Sequence, residues 1–344
     1  MRLISLVILL VLAALPMRMG AETLRGDVDG DGVVNISDVT TLIDYLLSGD
    51  ASLIVAENAD AEVDGSIAIS DVTALIDYLR SGSWPAAEPK TETFTVNGVS
   101  FTMVTVEGGT FMMGATAEQG TTDPWENEYP VHQVTLSTYS IGQTEVTQEL
   151  FVAVMTYHGD WADYPYDPNP SYYSSNHGYE DDLCRPVENV DVNLLRDFLR
   201  RLNWITGREF HLPTEAQWEF AARGGNLSKG YKYSGSDDPE EVAWCSVAIY
   251  PQGLRIPQPV ATKKPNELGL YDMSGNVWEN CSDNYLANAY SSEPQTDPTG
   301  PESNGYDGLF VCRGGFAGVI PRYSRVSCRR SGGRSFDTGF RLAL

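Results

Sequence analysis

Histidine is nearly missing from this 344-residue chain. The four present, His132, His158, His177 and His211, form no HExxH or other closely spaced pair, which leaves a zinc or iron site without its usual ligands. Cysteine is also sparse, with Cys184, Cys245, Cys281, Cys312 and Cys328 and no CxxC among them. In an exported protein five cysteines permit at most two disulfides and leave one over. Basic residues are few: 23 Lys and Arg face 47 Asp and Glu, for a net charge of -24. That balance excludes nucleic acid and an anionic membrane surface as partners. Long apolar runs are confined to the start, where Arg2 precedes Leu3 to Leu15 and small residues follow at Gly20 and Ala21. The pattern predicts a secretory signal peptide over 1–21, cleaved near Ala21, and no membrane span. No cysteine stands at the cleavage site for a lipid anchor, so the expected product is soluble and secreted, extracellular or periplasmic.

What the chain does contain is a duplication. DVDGDGVVNISDVTTLIDYLL at 27–47 and DAEVDGSIAISDVTALIDYLR at 60–80 are near-copies 33 residues apart. Each reads as a calcium loop running into an amphipathic helix. In the first, Asp27, Asp29, Asp31, the Val33 carbonyl, Asn35 and Asp38 fall at loop positions 1, 3, 5, 7, 9 and 12, with Gly32 at the sharp turn; hard oxygen ligands at this spacing suit Ca²⁺. The second offers Asp60, Glu62, Asp64, Ser66 and Asp71 around Gly65, but Ala68 at position 9 has no side-chain oxygen, which predicts weaker binding. Val39, Leu42, Ile43 and Leu46, and again Val72, Leu75, Ile76 and Leu79, give each helix one apolar stripe. Ser37 and Ser70 stand at the helix starts as candidate caps. Two such units make a small all-α core expected to need metal to fold.

Aspartate instead of a bidentate Glu at position 12 resembles the dockerin family. That resemblance implies Ca²⁺ as the cofactor and a cohesin-like or other protein partner for the module at 22–82. A linker is expected at 83–94, within a Ser-, Pro- and Ala-rich stretch. A large domain is expected over 95–344. Within it FTMVTVEGGTFMMG (101–114) reads as a hairpin turning at Gly108 and Gly109, and 132–147 as further strands. Helices are expected at 192–207, with Leu194, Leu195, Phe198 and Leu202 on one face, and at 212–225, with Thr214 and Gln217 as a capping box and Gly224 as the stop. The class is α+β with little regular structure.

GGTFMMG, YPVHQV, TEVTQELF, PVENV, REFHLPTEAQWEFAARGG, KKPNELGLYDMSGNVWEN, CRGGF and GFRLAL occur in that order. The series resembles the formylglycine-generating enzyme (sulfatase-modifying factor) superfamily, which implies its variant of the C-type lectin fold. In that family two cysteines beyond the Gly-Gly of the RGG motif bind copper and oxidise a sulfatase cysteine. Counted from Gly314 and Gly315, those positions are Val319 and Ser324, so copper and the family's catalysis are not expected, although an active oxidoreductase with a relocated site, Cys328 its candidate thiol, is the competing reading. Cys312 and Cys328 are either a disulfide or buried small hydrophobes.

The resemblance also implies a structural Ca²⁺ on Asn276, the Val277 carbonyl and Glu279. Trp218, Glu219, Trp278 and Glu279 read as framework, and Arg313 and Arg341 as buried ion pairs. Arg322, Tyr323, Arg325 and Arg329, with Arg330 and Arg334, form either a basic ligand-binding patch or internal partners of carboxylates. The Tyr-rich stretch at 164–182 is a surface loop or a platform for sugars. The function expected is tethering through the calcium module and binding of a glycan or protein ligand by a non-catalytic domain, in extracellular polysaccharide utilisation.

Overall fold

The computed structural model describes residues 24–63, 66–84, 90–120, 127–157, 168–179, 182–246, 256–302 and 309–344. The expected signal peptide, Asp64 and Gly65 of the second loop, residues 85–89 of the linker, and 164–167 and 180–181 of the Tyr-rich stretch lie outside them. The chain forms two compact units, divided between Glu88 and Pro89.

The first unit is built from α1 (Ile36–Ser48), the single turn α2 (Ala56–Ala59) and α3 (Ile69–Ser81). Its core is Val28, Val39, Leu42, Ala59, Ala61, Val72, Ala74 and Leu75. The predicted stripes are only partly covered: Val39 and Leu42, and Val72 and Leu75, are buried and Leu46 packs partly on the core, whereas Ile43 (36 %), Ile76 (47 %) and Leu79 (38 %) stay exposed. The helices are not capped by Ser37 and Ser70. Asn35 is the N-cap of α1, accepting from the Ser37 amide, and Ala68 holds the same position ahead of α3. The cap begins two residues earlier than the serines because the last loop ligand, an Asp, already lies in the first helical turn. Ser37 instead donates its hydroxyl to Asp29 at 2.7 Å. Left-handed glycines, Gly49 and Gly82, close both helices.

Among its described residues the second unit has three small sheets and four α-helices. β1 (Thr91–Val96), β2 (Val99–Val106), β3 (Gly109–Met113), β4 (His132–Leu136) and β5 (Tyr139–Gly142) come first, then α4 (Gln148–Met155), α5 (Val192–Thr206), α6 (Glu215–Ala222) and the short α7 (Pro239–Val242). β6 (Trp278–Asn284), β7 (Gln295–Thr296), β8 (Phe310–Arg313), β9 (Arg330–Gly332) and β10 (Thr338–Gly339) complete it. The sheets run β1-β2-β5, β10-β6-β8-β9 and β3-β4-β7.

Two expectations are corrected. Residues 91–94 lie in β1, so they belong to the domain and not to the linker. The run 101–114 is not a hairpin: β2 pairs with β1 and β5, while β3 pairs with β4. A Cβ on Gly108 would come within 2.6 Å of the Leu136 carbonyl, so the glycine serves a close backbone crossing between sheets. The two predicted helices are present. α5 is capped by Asp191 and ends at left-handed Gly207. α6 starts from the Thr214–Gln217 capping box and stops before Gly224. One core cluster packs α6 between the sheets around Trp218, Phe220 and Leu270; another joins α4 and α5 through Phe151, Phe198 and Phe340.

Candidate functional site

In the first unit Asp27, Asp29 and Asp38 bring carboxylate oxygens within 4.8 Å of one another, the one such group of three or more acidic, His or Cys residues among those described. Asp38 is fully buried and accepts from the Asp29 amide at 3.1 Å and the Asn35 amide at 2.7 Å. It thereby ties loop positions 3 and 9 to the first turn of α1. Asp31 accepts from the Val33 amide, which turns the chain so that the Val33 side chain points outward. Oδ1 of Asp27 is buried and has no hydrogen-bond partner. An orphaned carboxylate oxygen beside two further carboxylates is costly without a cation, so the residues fit Ca²⁺. The second loop repeats the tie: Asp71 accepts from the Glu62 amide at 3.0 Å and the Ala68 amide at 2.8 Å. Asp60 and Ser66 line a recess beside it with Tyr45 and Glu57.

In the second unit the conspicuous Trp, Glu and Arg residues form a buried framework. Glu279 receives Arg341 through two bonds of 2.6 Å and the Trp218 indole at 2.7 Å. Arg313 reaches Glu215 at 3.0 Å and Glu219 at 2.6 Å, and Arg329 reaches Glu215 at 2.6 Å. Burial alone would raise the Glu215 carboxyl, but Arg329 and Arg313 outweigh it and hold it at about 2. The ligand-patch reading is therefore corrected at two residues. Arg329 joins this network, and Arg325, 1 % exposed, forks onto Glu128 at 2.7 and 2.9 Å. Arg322 and Tyr323 are half-buried neighbours, the guanidinium lying 5.6 Å from the ring centre. Arg330 sits over Trp278, and only Arg334 of the six is exposed.

The implied second Ca²⁺ set does not fit as named. The Asn276 side chain accepts from Gln258 and donates to Glu145, and both Glu279 oxygens face Arg341. The orphaned oxygen in this segment is Oδ1 of buried Asp272, which is not in that set.

All five cysteines are free thiols, so Cys312 and Cys328 are not joined. Both are buried around Trp278 and Phe316, with Val319 and Tyr323 packed on that cluster. Cys312 donates to Asn280, and burial pushes its thiol up to about 12, the opposite of a reactive thiolate. Ser324 is buried with its hydroxyl unpartnered.

Beyond Phe316, rings continue outward. Phe316 lies 6.4 Å from Phe336, which meets Tyr172 and Tyr173; Tyr172 stacks on His177 at 5.1 Å. Phe336 and Tyr172 are 48 % and 43 % exposed. Under them Glu188 is buried, with Oε1 accepting from the Tyr173 amide and Oε2 unpartnered; burial pushes this carboxyl up to about 7. Sequence reading reached the tyrosines but not Phe336 or Glu188, which come from distant segments and are joined only by the fold.

Compared with known proteins, residues 88–344 match the sulfatase-modifying factor enzyme 1-like domain and residues 25–80 the dockerin type I domain. The chain is 29% identical over 307 residues to a formylglycine-generating enzyme of Streptomyces coelicolor, covering 75% of this chain and 91% of that one. It is 31% identical over 229 residues to the chaperone protein LppX of Paenibacillus barcinonensis, covering 53% and 71%. Among solved structures, Treponema denticola variable protein 1 superposes with a TM-score of 0.59 at 29% identity, covering 74% of this chain and 99% of the other.

Proposed function

Because the chain belongs to the sulfatase-modifying factor enzyme 1-like family, with a dockerin type I module ahead of that domain, we propose that it is an exported, tethered binding protein whose family domain no longer performs the oxidation. Dockerin domains bind calcium and typically bind cohesins. The exposed Ile43, Ile76 and Leu79 beside two acidic loops support a protein partner of that kind here.

The observation that carries the non-catalytic reading is the neighbourhood of Val319 and Ser324. Copper held by two thiolates needs soft, deprotonated sulfur. At these positions stand an aliphatic side chain packed into an apolar cluster and an orphaned hydroxyl, and the nearby thiol of Cys312 is held protonated. The rings from Phe316 to Tyr172 adjoin that cluster and supply an exposed apolar platform. Such a platform suits the faces of sugar rings in a polysaccharide, or an aromatic-rich protein surface.

The test probes glycan and protein arrays with the intact chain at saturating calcium, beside Tyr172→Ala and Phe336→Ala. Capture should fall roughly tenfold or more in each variant, since a buried aromatic contributes about 1.5–3 kcal/mol. Stoichiometric copper together with oxidation of a cysteine-containing sulfatase peptide would overturn the reading.

A further inference from the structure

A cavity of about 500 Å³ opens where the start of α6 meets β4, β6 and the segment 295–301. It shares no lining residue with the aromatic platform. His132, Glu215, Asp283, Tyr290, Thr299 and Gly300 are among its walls.

The hydrogen bonds of these walls leave a specific remainder. Both oxygens of Glu215 are engaged by Arg329, and Oε1 also by Arg313 and Tyr290. The Tyr290 hydroxyl donates to Glu215 and accepts from Arg313. Asp283, 4 % exposed, uses Oδ2 to accept from the Glu215 amide at 2.9 Å and the Ser282 hydroxyl at 3.2 Å. Its Oδ1 accepts from no described residue. His132, 2 % exposed, places Nδ1 3.0 Å from the Pro130 carbonyl. A carbonyl only accepts, so Nδ1 donates to it, and in the neutral imidazole Nε2 is then the acceptor; no described residue donates to it.

The four buried groups Glu215, Asp283, His132 and Tyr290 thus leave two acceptors and no free donor, and the donors of Gln295, Thr296 and Thr299 stand in the more exposed part of the wall. Arg313 and Arg329 are balanced by Glu215 and Glu219, which leaves Asp283 as the uncompensated carboxyl. One carboxylate and one imidazole are too few for a divalent cation, but they match a group that is all donor and positively charged. We propose that this cavity binds the primary ammonium head of a ligand, either a small alkyl amine or the lysine side chain of a peptide, with Asp283 Oδ1 and His132 Nε2 as its acceptors. An ammonium supplies three N–H donors, and the net charge of -24 draws cations toward the protein. A volume of this size admits the head and its alkyl stem.

Burial, and then Glu215, push the Asp283 carboxyl up to about 7. The other charged or titratable groups around it are Arg313 from β8 and Cys281 on its own strand β6, with His132 from β4 and Tyr290 in the same cavity wall. An ammonium binds the ionised form, so affinity should rise as pH passes from 6 to 8 and then level off.

The experiment titrates the intact, calcium-loaded chain with n-butylamine and with Nα-acetyl-lysine methylamide by calorimetry, using n-butanol and glucose as neutral controls. The expected result is saturable one-to-one binding of an amine that weakens roughly tenfold to a hundredfold in Asp283→Asn, the loss of one charged hydrogen bond, and loses its pH dependence. Thr299→Trp, at the exposed rim, should block the mouth while leaving the internal bonds intact. Tighter binding of the lysine derivative identifies a peptide source, and tighter binding of butylamine a free amine. No saturable amine binding, equal binding of glucose or butanol, or binding unchanged in both variants would overturn the proposal.

Discussion

Replacing Glu215 by Gln tests whether the buried ion-pair framework carries the stability of the second unit. The substitution keeps the shape of the side chain but removes the negative charge shared by Arg313 and Arg329, whose side chains are both fully buried. Two routes give its size. Breaking a buried pair by deleting one partner costs about 3–5 kcal/mol. Independently, a carboxyl that ordinarily titrates at 4.5 and here titrates at about 2 contributes roughly 3 kcal/mol, at about 1.36 kcal/mol per tenfold. Because the folded value is depressed, that contribution is fully present above pH 4.5 and is lost as pH falls toward 2. Urea unfolding of the calcium-loaded chain, followed by tryptophan fluorescence, should therefore show Glu215→Gln less stable by about 3 kcal/mol at pH 7. The difference should shrink below pH 4.5 and vanish near pH 2. A loss under about 1 kcal/mol, or a variant as acid-sensitive as the parent chain, would refute the reasoning.

Four further outcomes are expected. Chelation of calcium should unfold the first unit by circular dichroism, and Asp27→Ala should lower calorimetric calcium affinity more than Asp60→Ala, because the second loop has Ala68 where the first has Asn35. Ser324→Ala should leave stability unchanged or raise it by up to about 1 kcal/mol in thermal unfolding, since it removes an unpartnered buried hydroxyl. Glu188→Gln should stabilise at pH 8 but not at pH 4.5: burial raises this carboxyl to about 7, so the parent chain is destabilised as pH climbs through that value, by as much as about 3 kcal/mol.

The parts legible in the sequence are those governed by neighbours a few residues apart. The spacing that brings Asp27, Asp29 and Asp38 together is local, as are the apolar stripe of α5 and the Thr214–Gln217 box of α6, both of which stand where the pattern placed them. The caps of α1 and α3 were misplaced by two residues because calcium loops use Asp38 and Asp71 in the helix itself, a demand that cap preference does not encode. The strand at 99–106 looked like half a hairpin because alternation specifies a strand but not its partner. Six basic or aromatic residues in 322–334 looked like a surface patch, yet Arg325 and Arg329 meet carboxylates 197 and 114 residues away. The Asp283–His132 cavity was equally hidden, since its walls come from separated segments between Met113 and Pro301.

Residues 341–343 lie among the most buried of those described. Arg341, Leu342 and Ala343 are at most 2 % exposed, and the backbone of 342–344 bonds to Ser140, Gly142 and His211. A nascent chain halted a few residues short would lack the counter-charge for Glu279 and an edge for β5. These residues join strands and loops laid down far earlier in the sequence, Arg341 reaching the Gly142 carbonyl across 199 residues. Residues 341–343 thus act as a clasp across the second unit, and substitutions there would be lesions in the core.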